Sequence, residues 1–295
     1  MYQIDLGKKA VLVTLQISSF SGRQKDDSES KDVMERNGSK PGTALVMKTI
    51  IGKEFLKPIQ KIAGEMRTFD RKMTQPWTSS GSKILPSKLF QKYSTRNREL
   101  KGMWEKAVQD LIDNLPEAIR QAQNDLGKMF HASDYPTGDE LREKFSWEVN
   151  FDQVPINDFR CSLSDAEISE LNSQAIKREK DHVEKITRDL FTKVRSSLEN
   201  ISKKLGDYKP VKNGKNENVF RDSLIGNVRE LADTLPAFNL GDDPLLDDLA
   251  KDLKNKIANL NPTTLRESSL ERGRAIKSAD DTIKKMAGYF GTEEN

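Results

Sequence analysis

Apolar positions recur three and four residues apart through two long stretches, 87–127 and 163–205, and two residues apart in short segments elsewhere. In the first stretch Leu89, Tyr93, Leu100, Trp104, Val108, Leu111 and Leu115 fall on one side of a helix, the period that buries a stripe against a core. Pro116 lacks an N–H and crowds the preceding turn, so it predicts a break after Asn114. In the second stretch Ile168, Leu171, Ala175, Val183, Ile186, Leu190, Val194, Leu198, Ile201 and Leu205 make the longest pattern. Ser164-Asp-Ala-Glu167 gives it a capping box, and Gly206 is expected as a left-handed C′ residue. Its stripe turns polar from Lys177 to His182, which predicts loose or solvent-bridged packing there. A shorter seam, Phe55, Ile59, Ile62, Met66, Phe69 and Met73, predicts a further helix whose start Pro58 places close to itself.

The period of two marks strands. Val11, Val13, Leu15 and Ile17 share one side of an extended segment, and 43–50 reads as a second strand. In a third, over 146–151, Trp147, Val149 and Phe151 oppose Ser146, Glu148 and Asn150. The expectation is one small three-stranded sheet covered by a helix on its apolar face. The acidic, serine-rich segment 26–35, with Asn37-Gly38 and Lys40-Pro41-Gly42 after it, has the chemistry of a loop. Thr137-Gly-Asp-Glu140 is a capping box that opens a short helix, and Asp243-Pro244 and Asn261-Pro262 are start signals for two more. With a helix containing Phe220, Leu224, Val228, Leu231 and Leu235, these last two form a C-terminal helical region, 219–295, separated from 1–206 by a linker at 207–218. The fold class is therefore mainly α with a small β-sheet (α+β), an elongated arrangement of long amphipathic helices.

Composition narrows this little. Hydrophobic residues are 35% and charged residues 32%, against roughly 25% charged in an average globular domain, which suits helices with much surface per unit of core. A net charge of +3 implies no polyelectrolyte partner for the chain as a whole. One cysteine, Cys161, excludes an internal disulfide framework and fits a reducing, cytoplasmic compartment. No apolar run approaches the roughly 20 residues of a membrane-spanning helix, so no membrane partner is expected.

The residues that carry chemistry are sparse. Two histidines, His131 and His182, and one cysteine cannot supply a structural zinc site, and neither glycine-rich phosphate motif is present. Cys161 reads as a packing residue, His182 as an ordinary surface histidine, and Lys40-Pro-Gly-Thr43 as a turn. Glu99-Leu-Lys101 resembles the end of a metal-dependent nuclease motif but lies in a helical pattern. The expectation is no catalytic residue, no cofactor and no metal. Charge is placed unevenly, however. Residues 83–106 hold seven Lys and Arg against Glu99 and Glu105, beside Tyr93 and Trp104 in the apolar seam. This makes Lys88, Lys92, Arg96, Arg98 and Lys101 a candidate surface for nucleic acid or an acidic protein. Residues 222–252 are correspondingly acidic, which suggests docking of the two halves or self-association into a homo-oligomer, unless the aspartates serve helix N-termini.

Several segments together resemble an uncharacterised phage and bacterial family whose genes often lie beside a MoxR/CobS-like AAA+ ATPase and a von Willebrand A-type protein. They are Leu15-Gln-Ile-Ser-Ser-Phe-Ser-Gly-Arg23, Trp104 with Asn114-Leu-Pro-Glu117, Phe145-Ser-Trp-Glu-Val149, and Phe238-Asn-Leu240 followed by Asp243-Pro244. The most specific tag is the loop Phe20, Ser21, Gly22, Arg23, where Phe20 stands in place of a more usual tryptophan. The resemblance implies a non-enzymatic accessory or adaptor protein, phage-encoded and acting in the host cytoplasm, with the AAA+ machine as its protein partner. Nucleic-acid binding through 83–106 and self-assembly as a scaffold are the alternatives.

Overall fold

The nine-residue strand β1 (Ala10–Ser18) organises the β part of the molecule. In the computed structural model, which describes residues 6–77, 81–155, 165–209 and 219–290 (backbone alone for 165, 166 and 287–290), β1 is preceded by one helical turn, α1 (Leu6–Lys9). It pairs antiparallel with β5 (Lys83–Pro86) on one side and β6 (Ser146–Gln153) on the other, and β4 (Gln75–Pro76) adds beyond β5. The β1–β6 register sets Ile17 opposite Trp147, Leu15 opposite Val149 and Val13 opposite Phe151. Both strands' apolar alternate positions therefore share one face.

Two strand expectations are corrected. The segment after residue 43 yields a short strand, β3 (Val46–Thr49), which stays out of this sheet and pairs with β2 (Arg23–Asp26) in a ladder of its own. Residues 83–86, the start of the basic stretch 83–106, form a strand of this sheet and not a helical turn, with Ile84 and Leu85 fully buried and Pro86 leading into the helix. A third correction concerns 26–35. The Asp and Ser residues that look like loop chemistry cap and fill a helix, α2 (Asp27–Arg36), where the Asp26 side chain accepts from Glu29 N–H at 3.0 Å.

The helices follow the seams more closely. α3 (Lys53–Met73) begins earlier than Pro58 suggested and carries that proline on its second turn. It lies against α4 (Ser87–Asp113). The chain breaks at Asn114 and continues as α5 (Leu115–Leu126) with Pro116 at the tolerated N-terminal position. Thr137 and Glu140 form the expected reciprocal cap on α6 (Gly138–Glu143). α7 (Asp165–Gly206) has 42 residues, about 63 Å at 1.5 Å per residue. Ser164 lies outside the described residues. Gly206 keeps helical backbone as the last residue of α7 instead of turning left-handed beyond it.

α8 (Ser223–Phe238), α9 (Pro244–Leu253) with a π-helical turn after it, α10 (Pro262–Glu267) and α11 (Ser269–Phe290) complete the chain. Asp243 and Asn261 cap α9 and α10 through Leu245 N–H and Thr263 N–H, both at 2.8 Å. α7 packs along α11 and α8, and α4 also meets α8. One hydrophobic cluster runs from Leu6 to Met286, so residues on both sides of 207–218 share a core. Tyr208, within that segment, packs on the Phe220 ring and lies under the Arg272 guanidinium.

The polar interval of α7 is largely solvated, with Lys177, Arg178, Lys180 and Asp181 exposed, and two of its side chains make contacts of their own. His182 is not a plain surface residue: its ring stacks on Trp77 with centroids 4.5 Å apart, while Glu179 accepts from Leu6 N–H at 3.3 Å. Polar side chains there take hydrogen bonds and a ring stack where the rest of the seam takes aliphatic contacts.

Candidate interaction surface

α4 carries all five predicted surface cations, and its environment divides them. Lys83, just before the helix, is turned inward onto Asp70, whose carboxylate is 1% exposed and also accepts from the Tyr93 hydroxyl at 2.8 Å. Burial, and then the Asp70 charge, push the Tyr93 phenol well above its ordinary range. Lys88, Lys92 and Arg96 recur four apart and line one flank, where with Phe69 and Glu99 they border an open groove of about 640 Å³. Arg96 is engaged there by Glu65 of α3 and by Glu99 at 2.9 Å. Arg98 and Lys101 project from the other side of the helix; Arg98 donates to Ser94 C=O at 3.4 Å, and Lys101 stands 3.9 Å from Glu105. The basic face of the sequence is thus two flanks, one of them met by a carboxylate from a neighbouring helix.

That division bears on nucleic-acid binding. On the first flank Lys88 and Lys92 form no ion pair with described residues, which allows two phosphate contacts. At a slope of about −0.9 per phosphate, a fourfold rise in salt would weaken binding by only about tenfold, where proteins with 6–10 such contacts lose about 10³–10⁵. The acidic residues of 222–252 are likewise occupied near home: Asp222 pairs with Arg266, Glu230 with Lys72, Asp242 with Lys9 and Asp252 with Lys256 and Lys285.

The second flank faces β6. Phe90 and Phe151 meet edge to face at 5.0 Å and are each 38% exposed. Further along, Asn97 accepts from the Trp147 indole at 2.9 Å, and Trp104 lies between Phe145 and Trp147, at 6.1 and 5.5 Å. Here α4, α6 and the start of β6 enclose a cleft of about 500 Å³, lined by Trp104, Val108, Phe145 and Trp147 and rimmed by Lys101, Glu105, Gln109 and Arg142. Trp104 is only 4% exposed, and its indole Nε1–H has no hydrogen-bond partner among the described residues. Beside this cleft β6 is an edge strand: among the described residues only β1 pairs with it, and from Asn150 to Gln153 it is exposed. Sequence periodicity finds Trp147 and Phe151 but gives no sign that their strand lies at an edge.

The tag Phe20, Ser21, Gly22, Arg23 proves to be a structural turn. Gly22 has φ +71°, its carbonyl accepts from Ile50 N–H at 2.8 Å and Ile51 N–H at 3.2 Å, and a Cβ there would lie 2.7 Å from Ile51 O. Only glycine fits such a backbone. Ser21 Oγ accepts from Arg23 N–H at 3.3 Å, and Arg23 opens β2. Phe20 carries Lys144 Nζ 5.7 Å above its ring and lines a second cleft, about 510 Å³, with Asp134, Tyr135 and Glu140.

Under that cleft lies an ion cluster that the sequence reading missed. Lys48, 4% exposed, reaches Asp134 at 2.6 Å and Asp26 at 3.1 Å and donates to Met129 C=O at 3.2 Å. Burial opposes its charge, but the Asp134 and Asp26 carboxylates outweigh that and hold its pKa above the ordinary value. Glu29 N–H, then Lys48, hold Asp26 below its own. Two carboxylates and a carbonyl surround the Lys48 ammonium, so the cluster ties β3, the α2 cap and the 129–134 segment together.

Among the described residues no group of His, Cys, Asp and Glu is arranged to hold a metal ion, and no helix is long and apolar enough to cross a membrane. Cys161 lies outside the described residues. Compared with known protein families, with curated proteins and with solved structures, the chain matches none.

Proposed function

We propose that the chain is a non-enzymatic accessory protein that docks onto another protein through the side of the molecule formed by α4 and β6. The observation that carries this reading is the eight-residue edge strand β6, unpaired on its outer side among the described residues, with Phe90 and Phe151 half open beside it. Exposed strand edges and neighbouring apolar side chains are costly features unless a partner uses them. The family resemblance supplies the partner to test, a AAA+ ATPase with its von Willebrand A-type companion, and with it an origin in a phage and action in the host cytoplasm. Co-expression with such a pair followed by size-exclusion chromatography should give one co-eluting complex, lost when Phe90→Asp and Phe151→Asp are combined. Separate elution of the wild-type protein from both candidates would remove the reading.

A second reading, nucleic-acid binding, rests on the groove between α3 and α4 with Lys88, Lys92 and Arg96 along it. It predicts binding of a single-stranded oligonucleotide at low salt that Lys88→Glu with Lys92→Glu abolishes. Equal binding by that variant would discard it.

A further inference from the structure

We infer that the cleft between α4 and the start of β6 receives the carboxylate side chain of an extended segment of a partner protein, which lies along β6 as a fifth strand of the sheet. This deepens the docking reading and rests on it. The cleft is walled by Trp104, Phe145, Trp147 and Val108, and two cationic hydrogen-bond donors border it, the Lys101 ammonium and the Arg142 guanidinium. Glu105, 3.9 Å from Lys101, offsets one charge, and Arg142 donates to Gln109, which still leaves the rim net cationic. A carboxylate matches this charge and accepts from both cations at once.

The strand beside the cleft determines the shape of the occupant. An edge strand turns alternate backbone N–H and C=O groups outward, and an extended chain pairs with them while every second side chain points to the same face. On the α4 side that face already holds Trp147, Val149 and Phe151. The segment that fits is therefore one whose apolar residues alternate, with an Asp or Glu in the α4-facing row at the cleft. A second β6, paired antiparallel with the same face toward α4, does not fit. In β6 itself the carboxylates, Glu148 and Asp152, occupy the row opposite Trp147 and Phe151, so an added β6 would carry them away from the cleft.

Display of random twelve-residue peptides against the wild-type protein, depleted on the Lys101→Glu, Arg142→Glu double variant, tests this. Both side chains are at the surface or half-buried, and circular dichroism confirms that the variant folds. Enriched peptides should carry an acidic residue in a row of apolar residues spaced two apart. They should bind wild type at least tenfold more tightly than the double variant. No peptide that discriminates the double variant, or selected peptides with basic residues or apolar spacing of three and four, overturns the inference. So does displacement of bound peptide by a sixteen-residue oligothymidylate, or a wild-type dimer that Phe151→Asp dissociates. If the ATPase complex forms and the double variant leaves it intact, the docking reading stands and this inference alone fails.

Discussion

Replacing Tyr93 by Phe isolates the buried Tyr93–Asp70–Lys83 group, because it removes one oxygen and leaves the ring in place. Tyr93 is fully buried and donates at 2.8 Å to a carboxylate that is 1% exposed. A hydrogen bond to a charged group contributes about 1.5–3 kcal/mol, so Tyr93→Phe should be destabilised by that amount near pH 7. With an unfolding entropy of about 2.1 cal/mol/K per residue, a chain of this length loses roughly 2–5 °C in Tm. The pH dependence makes the test sharper. Burial and the Asp70 charge raise the phenol's pKa in the folded protein, while in the unfolded chain it stays near about 10. Between those values the unfolded state has lost the proton and the folded state has kept it, so stability falls as pH rises, by up to about 1.4 kcal/mol per unit. The contribution is fully present below about pH 10, and the variant lacks this term. The gap between wild type and Tyr93→Phe should therefore be constant from pH 7 to 9 and about 1.4 kcal/mol smaller at pH 11. Urea denaturation of both proteins at pH 7, 9, 10.5 and 11, followed by tryptophan fluorescence, measures it. A gap that does not change up to pH 11 would refute the reasoning, because Tyr93 would then ionise equally in both states.

Gly22→Ala should lose roughly 1–2 kcal/mol from the left-handed backbone alone, and more from a Cβ placed 2.7 Å from Ile51 O; a thermal midpoint within 1 °C of wild type would contradict the assigned turn. Lys48→Met removes the only cation between Asp26 and Asp134 among the described residues and should cost roughly 3–5 kcal/mol in denaturant titrations. Because Asp26 is held below its unfolded value of about 3.9, its contribution is present above that pH and lost as pH falls toward the folded value, and the Met variant should show a weaker acid loss over that window. Thr137→Ala, which removes the reciprocal cap on α6, should cost about 1 kcal/mol, visible as faster amide exchange at Glu140 and Leu141.

What the sequence made legible is what depends on near neighbours. The α4 seam, the break at Asn114, the Thr137 cap and the two Asx-Pro starts each rest on residues within a turn or two of one another, and each appears as read. The failures have the opposite character. Asp26 with its serines is equally suited to a turn or a helix start, and what decides is a long-range contact, Lys48 against Asp26 and Asp134. Residues 83–86 open a basic stretch that continues as helix, yet Val11 and Leu12 pair with Leu85 and Ile84 and draw them into the sheet. β3 looks as strand-like as β1, but its third residue is a lysine bound for an ion cluster, which suits a two-stranded ladder and not a hydrophobic sheet.

The same distinction explains why the predicted surface changed its meaning. A row of lysines and arginines in sequence is a surface only if no carboxylate from another element meets it. Asp70 and Glu65 of α3, respectively 13 and 31 residues from their partners, withdraw Lys83 and Arg96 from solvent chemistry. Among the described residues, what remains on the α3 side offers two ammoniums without an ion pair, too few for strong backbone binding to nucleic acid. On the β6 side Lys101 gains instead a second cation, Arg142 from α6, together with aromatic walls and an edge strand. Each of these features alone is ordinary. Their convergence on one flank of α4 makes that flank, and not the whole basic stretch, the place where a partner gains both backbone pairing and charge complementarity.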